Sequence, residues 1–341
     1  MGKRPVPIRA LGENLVLFRT PQGQVAALED RCPHRGTMLS RGRVIFPGTL
    51  SCGYHGWTFN AIGECVAAIV EGPESKVPGQ VQVKWYRTEE RLGMVWAYMG
   101  EGEAPALDED LPAALLDPNA FSQNIVWEWK TNWRHVTDNY ADMCHAPFVH
   151  RTSLRMLFRK VAAWAKMSMQ PLPDGKGFNV RAVGGGLQAE YPGLGKFPKS
   201  LWWRAISGIR GPTPSAELRM PGYLVLCMRD PFFGVDHVNI GWPVPVDEHR
   251  TQYVGFIVTH PKTRLGKFVM QLWWHLGMQP LQIPFLRQDQ RLIESQSYSC
   301  ESLSTIDTGI VVWRKFAAKT ARQAVPQKKD SGVPVDQIGT V

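Results

Sequence analysis

The segment of residues 31–60 restricts what this chain can fold into more than any other, because it concentrates side chains that bind metals. It reads RCPHRGTMLSRGRVIFPGTLSCGYHGWTFN. Cys32 and His34 form a C-x-H pair, and Cys52 and His55 form a C-x2-H pair. Each pair offers one thiolate and one imidazole, as expected of two loops that enclose one metal centre. The sequence therefore predicts a two-loop metal site in an N-terminal domain.

The order of these ligands separates two candidate metals. A structural zinc ion often has two cysteines and two histidines, but zinc fingers usually place the two cysteines together and the two histidines together. Here each loop carries one of each. A [2Fe–2S] cluster with two cysteines on one iron and two histidines on the other needs this mixed supply. The spacing favours the cluster and leaves zinc as the alternative.

The motifs C-P-H-R-G and C-G-Y-H-G-W resemble those of the Rieske proteins. The resemblance implies that Cys32, His34, Cys52 and His55 hold a Rieske [2Fe–2S] cluster. Rieske proteins of respiratory complexes carry two further cysteines that form a disulfide beside the cluster, whereas the chain has Thr37 and Tyr54 in that neighbourhood. The N-terminal part is therefore more similar to the Rieske domain of an oxygenase or a soluble ferredoxin.

A second pair of histidines follows in NWRHVTDNYADMCHAPFVHRTSL, residues 132–154. His145 and His150 would lie about 140° apart on a regular helix, too far to converge on one ion. Pro147 disfavours a helical conformation at Ala146. We therefore expect the helix to end or distort there, which would bring the two imidazoles together.

Asp142 precedes His145 by three residues, so a helix would place the two on one face. Two imidazoles and one carboxylate form the facial triad of non-haem Fe(II) oxygenases. The pattern D-x2-H-x4-H resembles the catalytic domain of Rieske non-haem iron oxygenases. The resemblance implies that Asp142 lies between the cluster and the iron. It also implies that Asn139 approaches the iron. Asp138 stands where the family usually has a glutamate. Capping or packing is the alternative role for Asn139.

In that family the third iron ligand is an aspartate of a late helix. The segment LRQDQRLIESQ is similar to the family signature E-D-x4-E-x-Q, with Gln288 in place of the common glutamate. Asp289 is therefore the predicted third ligand, and Glu294 is the second acid of the signature. Asp142 is the main rival to Asp289, because it too could complete the triad.

Turn signals and hydrophobic patterns divide the chain into three parts. Residues 1–105 read as short strands between turns, an all-β module. Residues 106–321 begin with an acidic, proline-rich linker and combine strands with helices, including two late helices in LGKFVMQLWWHLGM and PFLRQDQRLIESQS. This indicates an α+β class, and the resemblance implies an antiparallel sheet flanked by helices, similar to a helix-grip fold. Residues 322–341 are predicted to be a polar tail.

Charge and composition narrow the possible partners and location. The net charge is +9, but the basic residues form no stripe with interleaved aromatics, so no nucleic-acid partner is expected. A solvated surface explains this charge, and a docking face for an acidic electron carrier is the alternative. No window approaches the ~20 apolar residues of a membrane span, and a cytoplasmic protein is expected. The six scattered cysteines are expected to be reduced.

The resemblance implies an oxygenase that uses O2 and electrons from NAD(P)H at a mononuclear Fe(II). The chain has no G-x-G-x-x-G after a strand, so an NAD(P)H-dependent reductase, with or without a ferredoxin, is expected as a separate partner. The resemblance also implies a head-to-tail homotrimer, in which the cluster of one subunit faces the iron of the next.

The chain is shorter than the large subunits of ring-dihydroxylating dioxygenases. This favours monohydroxylation or oxidative dealkylation, with ring cis-dihydroxylation as the alternative. An apolar, ring-containing substrate is expected from three aromatic pairs, although core packing explains them equally well: Trp202–Trp203, Phe232–Phe233 and Trp273–Trp274. Two other classes stay open, a non-catalytic Rieske electron carrier and a protein with two zinc sites.

Overall fold

The computed structural model describes residues 4–152, 166–183, 215–220, 222–229, 236–261 and 263–320. The chain forms two compact units. The first consists of Met1–Leu116 with Val244–His249, and the second of Asp117–Pro243 with Arg250–Val341. The first unit thus continues past residue 105, where the sequence predicts the end of the N-terminal domain. The predicted tail of residues 322–341 lies outside the described residues.

Short antiparallel strands dominate the first unit, which confirms the predicted all-β region. Its strands are β1 (Val6–Ala10), β2 (Glu13–Arg19), β3 (Val25–Glu29), β4 (Leu50–Ser51), β5 (Trp57–Phe59), β6 (Cys65–Ala68), β7 (Trp85–Tyr86), β8 (Thr88–Arg91) and β9 (Met94–Ala97). They form sheets in the orders β1-β2-β3-β7, β4-β5-β6 and β8-β9. The predicted linker contains two short helices, α1 (Leu107–Asp110) and α2 (Ala113–Leu116).

Strand β2 lies at the centre of this unit's core. Its four consecutive residues Leu15, Val16, Leu17 and Phe18 are all buried. Because successive side chains of a strand point to opposite faces, Val16 and Phe18 belong to one apolar cluster and Leu15 and Leu17 to another. The first of these clusters also contains the two cysteines of the predicted metal-binding loops. The loops are therefore anchored directly in the core.

The segment TLSCGYHGWTFN does not form one continuous strand. Strands β4 and β5 pair with each other, with Leu50 opposite Phe59, and the residues between them form a loop. Gly56 has a φ of 70°, a left-handed conformation that only glycine adopts readily. The chain therefore reverses where a strand pattern alone predicts that it continues.

The second unit confirms the predicted α+β class. Its strands are β10 (Phe121–Trp129), β11 (Lys166–Pro171), β12 (Gly177–Val183), β13 (Ser215–Arg219), β14 (Tyr223–Arg229), β15 (Asp236–Asp247) and β16 (Arg250–Thr259). They form one sheet in the order β10-β16-β15-β14-β13-β12-β11. In the described residues, its helices are α3 (Trp133–Ala141), α4 (Ala146–Val149), α5 (Arg264–Trp273), α6 (Gln279–Ile293) and α7 (Thr308–Thr320).

The two late helices predicted from the sequence form one continuous helical run. A π-helical segment, Trp274–Met278, joins α5 directly to α6. The run contains Pro280 at the start of α6 and Pro284 inside it, and each proline removes one backbone N–H from the helical hydrogen-bond pattern. Among the described helices, none is long and apolar enough to cross a membrane.

The aromatic pair Trp273–Trp274 belongs to the core of this unit. Both indoles are buried in an apolar cluster with Met270. Core packing therefore accounts for this pair, and it is no evidence for a substrate pocket. The other two pairs lie outside the described residues: Trp202–Trp203 and Phe232–Phe233.

Candidate metal centres

The first metal-binding loop is closed by two backbone hydrogen bonds. The amide of Cys32 donates to the carbonyl of Thr37 at 2.8 Å, and the amide of Gly36 donates to the carbonyl of Cys32 at 2.8 Å. Gly36 has a φ of 72°, which lets the chain turn back within a few residues. This tight loop presents His34, the second predicted ligand, between the cysteine and the glycine.

The second loop repeats this frame. The amide of Cys52 donates to the carbonyl of Trp57 at 2.8 Å, and the amide of Gly56 donates to the carbonyl of Cys52 at 3.1 Å. A Cβ added at Gly56 would lie 2.9 Å from the Cβ of Ile69. The C-x3-G spacing shared by both motifs therefore specifies two loops with the same hydrogen bonds, each centred on a cysteine.

The imidazoles of the two loops face each other. The ring centroids of His34 and His55 are 4.7 Å apart. Trp57 stacks on His34 at 4.4 Å with an interplanar angle of 8°, and its indole N–H donates to Glu71 at 2.9 Å. The stacking contact shows that Trp57 orients one of the predicted ligands.

The thiols of the two loops also lie together. Cys32 and Cys52 are buried, and their side chains are within hydrogen-bonding reach of each other. Burial, reinforced by Cys52, raises the pKa of the Cys32 thiol to about 11. Iron binds the thiolate, so coordination would release this proton. All six cysteines lie within the described residues, and none of them forms a disulfide. Two adjacent thiols and two adjacent imidazoles fit the donor set of a Rieske cluster.

The second candidate site begins where α3 ends, and the predicted position of this end is wrong. The sequence predicts the break at Ala146, before Pro147, but the helix ends at Ala141. The carboxylate of Asp142 accepts the amide of Cys144 at 2.7 Å, and such a local bond competes with helix continuation. Pro147 instead lies in the first turn of α4, where its missing N–H is tolerated.

A single helical turn brings the two histidines together. His145 is the N-terminal cap of α4 and His150 is its C-terminal cap. The carbonyl of His145 accepts the amide of Val149 at 3.0 Å, and the amide of His150 donates to Ala146 at 3.1 Å. The two imidazole centroids are 5.6 Å apart, at an angle of 71°. The expected convergence is therefore achieved by a new short helix and not by a distorted long one.

Asp289 of α6 completes a group of three metal-binding side chains. Its Oδ1 lies 3.2 Å from Nε2 of His150 and 3.5 Å from Nε2 of His145. One potential ligand atom of each residue lies within 4.8 Å of the others. In the part of the chain that the structure describes, this is the one such group of three. Glu294 does not join it, because its carboxylate accepts a backbone N–H of Lys130 at 2.8 Å.

The donor atoms of this group are suited to binding a cation. Within the described residues, Oδ1 of Asp289 is buried without a hydrogen-bond partner, although it faces two imidazoles. Burial opposes a positive charge on His145, yet Asp142 and Asp289 raise the pKa of this imidazole. A divalent ion would satisfy the carboxylate and both Nε2 atoms. Two imidazoles and one carboxylate with other positions left open match the facial triad of Fe(II) oxygenases.

Two residues beside His150 were not assigned a role from the sequence. Oε1 of Gln288 lies 3.1 Å from Nδ1 of His150, and its amide nitrogen donates to Thr152 at 3.1 Å. Phe285 stacks on the imidazole at 3.5 Å. Both residues precede Asp289 on α6 and fix the orientation of His150. In the sequence, the one sign of a role for Gln288 is that it stands where the family signature commonly has a glutamate.

We expect Gln288→Ala to lower iron affinity at the second site by about tenfold, because a histidine that binds metal through Nε2 depends on a partner at Nδ1. Gln288→Glu should retain the affinity, since a carboxylate can accept the same N–H. Iron titration of the metal-depleted protein measures both values. Gln290→Ala is the matched control, because Gln290 lies on α6 but bonds to Glu128 and Glu294. Equal affinities for Gln288→Ala and Gln290→Ala would contradict this role.

Asp142 and Asn139 lie in the same part of the second unit. Oδ2 of Asp142 is 3.6 Å from Nδ1 of His145, so the predicted proximity exists, although a turn and not a helix face produces it. Both residues line a pocket of about 360 Å³ together with His145 and Asp289. The predicted approach of Asn139 to the iron stays a prediction.

Two family models match the two parts of the chain that carry these candidate sites. The family model of the Rieske [2Fe-2S] domain matches residues 1–83, and that of the vanillate O-demethylase oxygenase C-terminal domain matches residues 129–323. The terminal oxygenase component of carbazole 1,9a-dioxygenase from Sphingomonas is 27% identical over 93% of this chain and 87% of its own length. The vanillate O-demethylase oxygenase subunit from Pseudomonas is 35% identical, over 44% of this chain and 42% of its own.

Another relative is the 3-chlorobenzoate-3,4-dioxygenase oxygenase subunit from Comamonas testosteroni, 40% identical over 44% of this chain. The matched stretch spans about a third of that protein, 34%. Among solved structures, the terminal oxygenase of carbazole 1,9a-dioxygenase from Nocardioides aromaticivorans IC177 has the same fold. Its TM-score is 0.74 at 24% identity, covering 93% of this chain and 90% of that chain.

The chain belongs to the Rieske oxygenases, with a Rieske [2Fe–2S] domain followed by an oxygenase domain of the vanillate O-demethylase family. The second family covers more than half of the chain, and the described fold agrees with it. The family confirms the resemblance to Rieske terminal oxygenases drawn from the two motifs. It also confirms the expected cofactors, a Rieske cluster and a mononuclear iron, with O2 as cosubstrate.

Proposed function

We propose that this chain is the terminal oxygenase component that hydroxylates or oxidatively dealkylates an apolar, ring-containing small molecule. One observation carries the proposal. The group of His145, His150 and Asp289, of which the last two are buried, offers three ligands and fits an iron with open positions. A Rieske electron carrier needs no such group, so its presence in the same chain as the two Rieske loops favours the oxygenase.

Each residue of the second centre has a separate task in this proposal. Iron(II) held there would supply the binding and reduction of O2 beside the substrate. His145 and His150 would hold the ion through their imidazoles, and Asp289 would supply the carboxylate. Gln288 and Phe285 keep His150 in one orientation. Oδ2 of Asp142 lies 3.6 Å from Nδ1 of His145, slightly beyond hydrogen-bond distance, and this carboxylate is the candidate bridge toward a cluster.

Electrons have to come from a separate protein. The sequence contains no nucleotide-binding fingerprint, so we infer an NAD(P)H-dependent reductase that acts directly or through a ferredoxin. One solved structure of similar fold is a reduced complex between oxygenase and ferredoxin in carbazole 1,9a-dioxygenase. The net charge of +9 would attract an acidic carrier.

We further infer a head-to-tail homotrimer, in which a cluster of one subunit approaches the iron of the next. Asp142 lines the pocket beside His145 and Asp289 and its side chain is 25% exposed, so a group of another copy could reach its carboxylate. A histidine of the Rieske loops could then donate to the free side of this carboxylate. Sedimentation at several concentrations, with the cluster in place, tests the trimer.

Monooxygenation is the favoured outcome, because the C-terminal domain family takes its name from an O-demethylase. Dioxygenation stays the alternative, since two relatives are named dioxygenases. Turnover of methoxylated and unsubstituted aromatic compounds under ¹⁸O2, with a surrogate reductase and ferredoxin, separates the two. One labelled oxygen in the product, or release of formaldehyde, supports monooxygenation, and a cis-diol with two labelled oxygens refutes it. Reduction of the cluster without any O2-dependent product from a broad panel would favour the electron carrier.

A further inference from the structure

Asp138, one residue before Asn139, is a buried carboxylate that receives three different donors. Arg314 Nη2 donates to Oδ2 at 2.7 Å, and Arg314 Nε lies 3.2 Å from both oxygens. The hydroxyl of Tyr298 donates to Oδ2 at 3.0 Å. Only 6% of Asp138 is exposed. A carboxylate this buried is costly unless it is paired, and Arg314 provides the pair.

Arg314 lies on α7 and extends this contact to a second acid. It binds both carboxylate oxygens of Glu301 at 2.7 Å. Its guanidinium lies 4.9 Å from the ring centroid of Tyr298, and the imidazole of His135 stacks on the same Tyr298 ring at 4.0 Å with an interplanar angle of 12°. The planar guanidinium thus has a fixed orientation. Its Nε and Nη2 atoms bind Asp138 of α3, and its Nη1 and Nη2 atoms bind Glu301.

Asp138 connects Arg314 to the carboxylate next to the iron site. Its backbone carbonyl accepts the amide of Asp142 at 3.0 Å, which is the last hydrogen bond of α3. Asp142 then bonds to the amide of Cys144 and lies 3.6 Å from Nδ1 of His145. Helix ends fray unless something holds them. At this end, the ion pair from α7 holds the final turn that sets the position of Asp142.

We propose that Arg314 and Asp138 are positioning residues, which fix the end of α3 and thereby hold the carboxylate of Asp142 in place beside His145. The inference rests on the proposed function, because it takes Asp142 as the link between the two metal centres. An apolar pair of similar volume would join α3 and α7 equally well. The guanidinium does more than join the two helices, because its two parallel N–H donors also fix the rotation of the carboxylate that they bind.

The test compares Asp138→Asn with Glu301→Gln, because each variant removes one carboxylate from the same guanidinium. Only Asp138 lies on α3. We expect both variants to keep the cluster spectrum and the iron content. In a single turnover of the reduced protein with substrate and O2, cluster reoxidation should slow about tenfold in Asp138→Asn and stay near the wild-type rate in Glu301→Gln. The EPR spectrum of the nitric oxide complex of the mononuclear iron should change only in Asp138→Asn.

Two further variants complete the design. Arg314→Lys keeps the positive charge but loses the paired N–H donors, so cluster reoxidation should be slowed several-fold. This variant replaces Asp138→Asn in the test if Asp138→Asn does not fold. Asp142→Asn examines the bridge itself. Slow reoxidation in Asp142→Asn with wild-type rates in Asp138→Asn and Arg314→Lys would overturn the positioning role alone. Wild-type rates in Asp142→Asn would refute the bridge that the proposed function assumes. Equal slowing in Asp138→Asn and Glu301→Gln would also overturn the positioning role.

Discussion

Replacement of Cys32 by serine is expected to abolish the visible absorption of the [2Fe–2S] cluster. The thiolates of Cys32 and Cys52 are the two predicted sulfur ligands, and a serine hydroxyl is far less acidic than a thiol and therefore binds iron poorly in its place. His55→Ala should have the same effect, because it removes one of the two facing imidazoles. Absorption and EPR spectra of the purified variants measure the loss.

Cys65→Ser is the matched control for this prediction. Cys65 is buried in the same apolar cluster as Cys32, but its Sγ contacts the carbonyl of Ala67 and not the two loops. We therefore expect some loss of stability and a retained cluster. A wild-type Rieske spectrum in Cys32→Ser would contradict the assignment of the first centre. Loss of the cluster in Cys65→Ser as well would show that these substitutions act by disrupting the packing of the apolar core and not by removing a ligand.

Asp289→Ala is expected to remove the mononuclear iron and all turnover while the cluster stays intact. Two imidazoles without a carboxylate hold Fe(II) weakly, so iron affinity at this site should fall by at least about tenfold. The buried Oδ1 of Asp289 faces both Nε2 atoms and has no hydrogen-bond partner among the described residues, which makes it the natural third ligand. Iron analysis, combined with the cluster spectrum, measures the change.

Glu294→Gln is the control, because Glu294 is the other acid of the same sequence signature. Its carboxylate binds the amide of Lys130 and the side chain of Gln290, so iron content should stay at the wild-type level. Full iron occupancy in Asp289→Ala, together with loss in Glu294→Gln, would move the ligand assignment from Asp289 to Glu294.

The two loops that carry the four predicted cluster ligands could be predicted from the sequence because their geometry is local. Both loops are closed by hydrogen bonds within six residues, and the C-x3-G spacing encodes them. The convergence of His145 and His150 was also predicted, but the position of the helix end was not. The Asx-type bond from Asp142 to Cys144 ends α3 before the proline acts, and a helical periodicity does not reveal such a bond.

Contacts between distant segments could not be predicted. Gln288 reaches His150 across 138 residues of sequence, and Arg314 reaches Asp138 across 176. Each of these residues taken alone has the pattern of an ordinary polar helix residue. Their roles depend on how α6 and α7 pack against α3 and α4, which only the folded chain determines. The single-residue rules that identify ligands therefore miss the residues that orient them.

Iron stoichiometry tests the central claim most directly. An oxygenase of this kind holds two irons in its cluster and one at the facial triad. We predict three irons per chain in protein purified and reconstituted without oxygen, with a Rieske spectrum. Asp289→Ala should retain only the two irons of the cluster, and Cys32→Ser only the single iron of the triad. Two irons per chain in the fully reconstituted wild type, unchanged in Asp289→Ala, would contradict the account and identify an electron carrier.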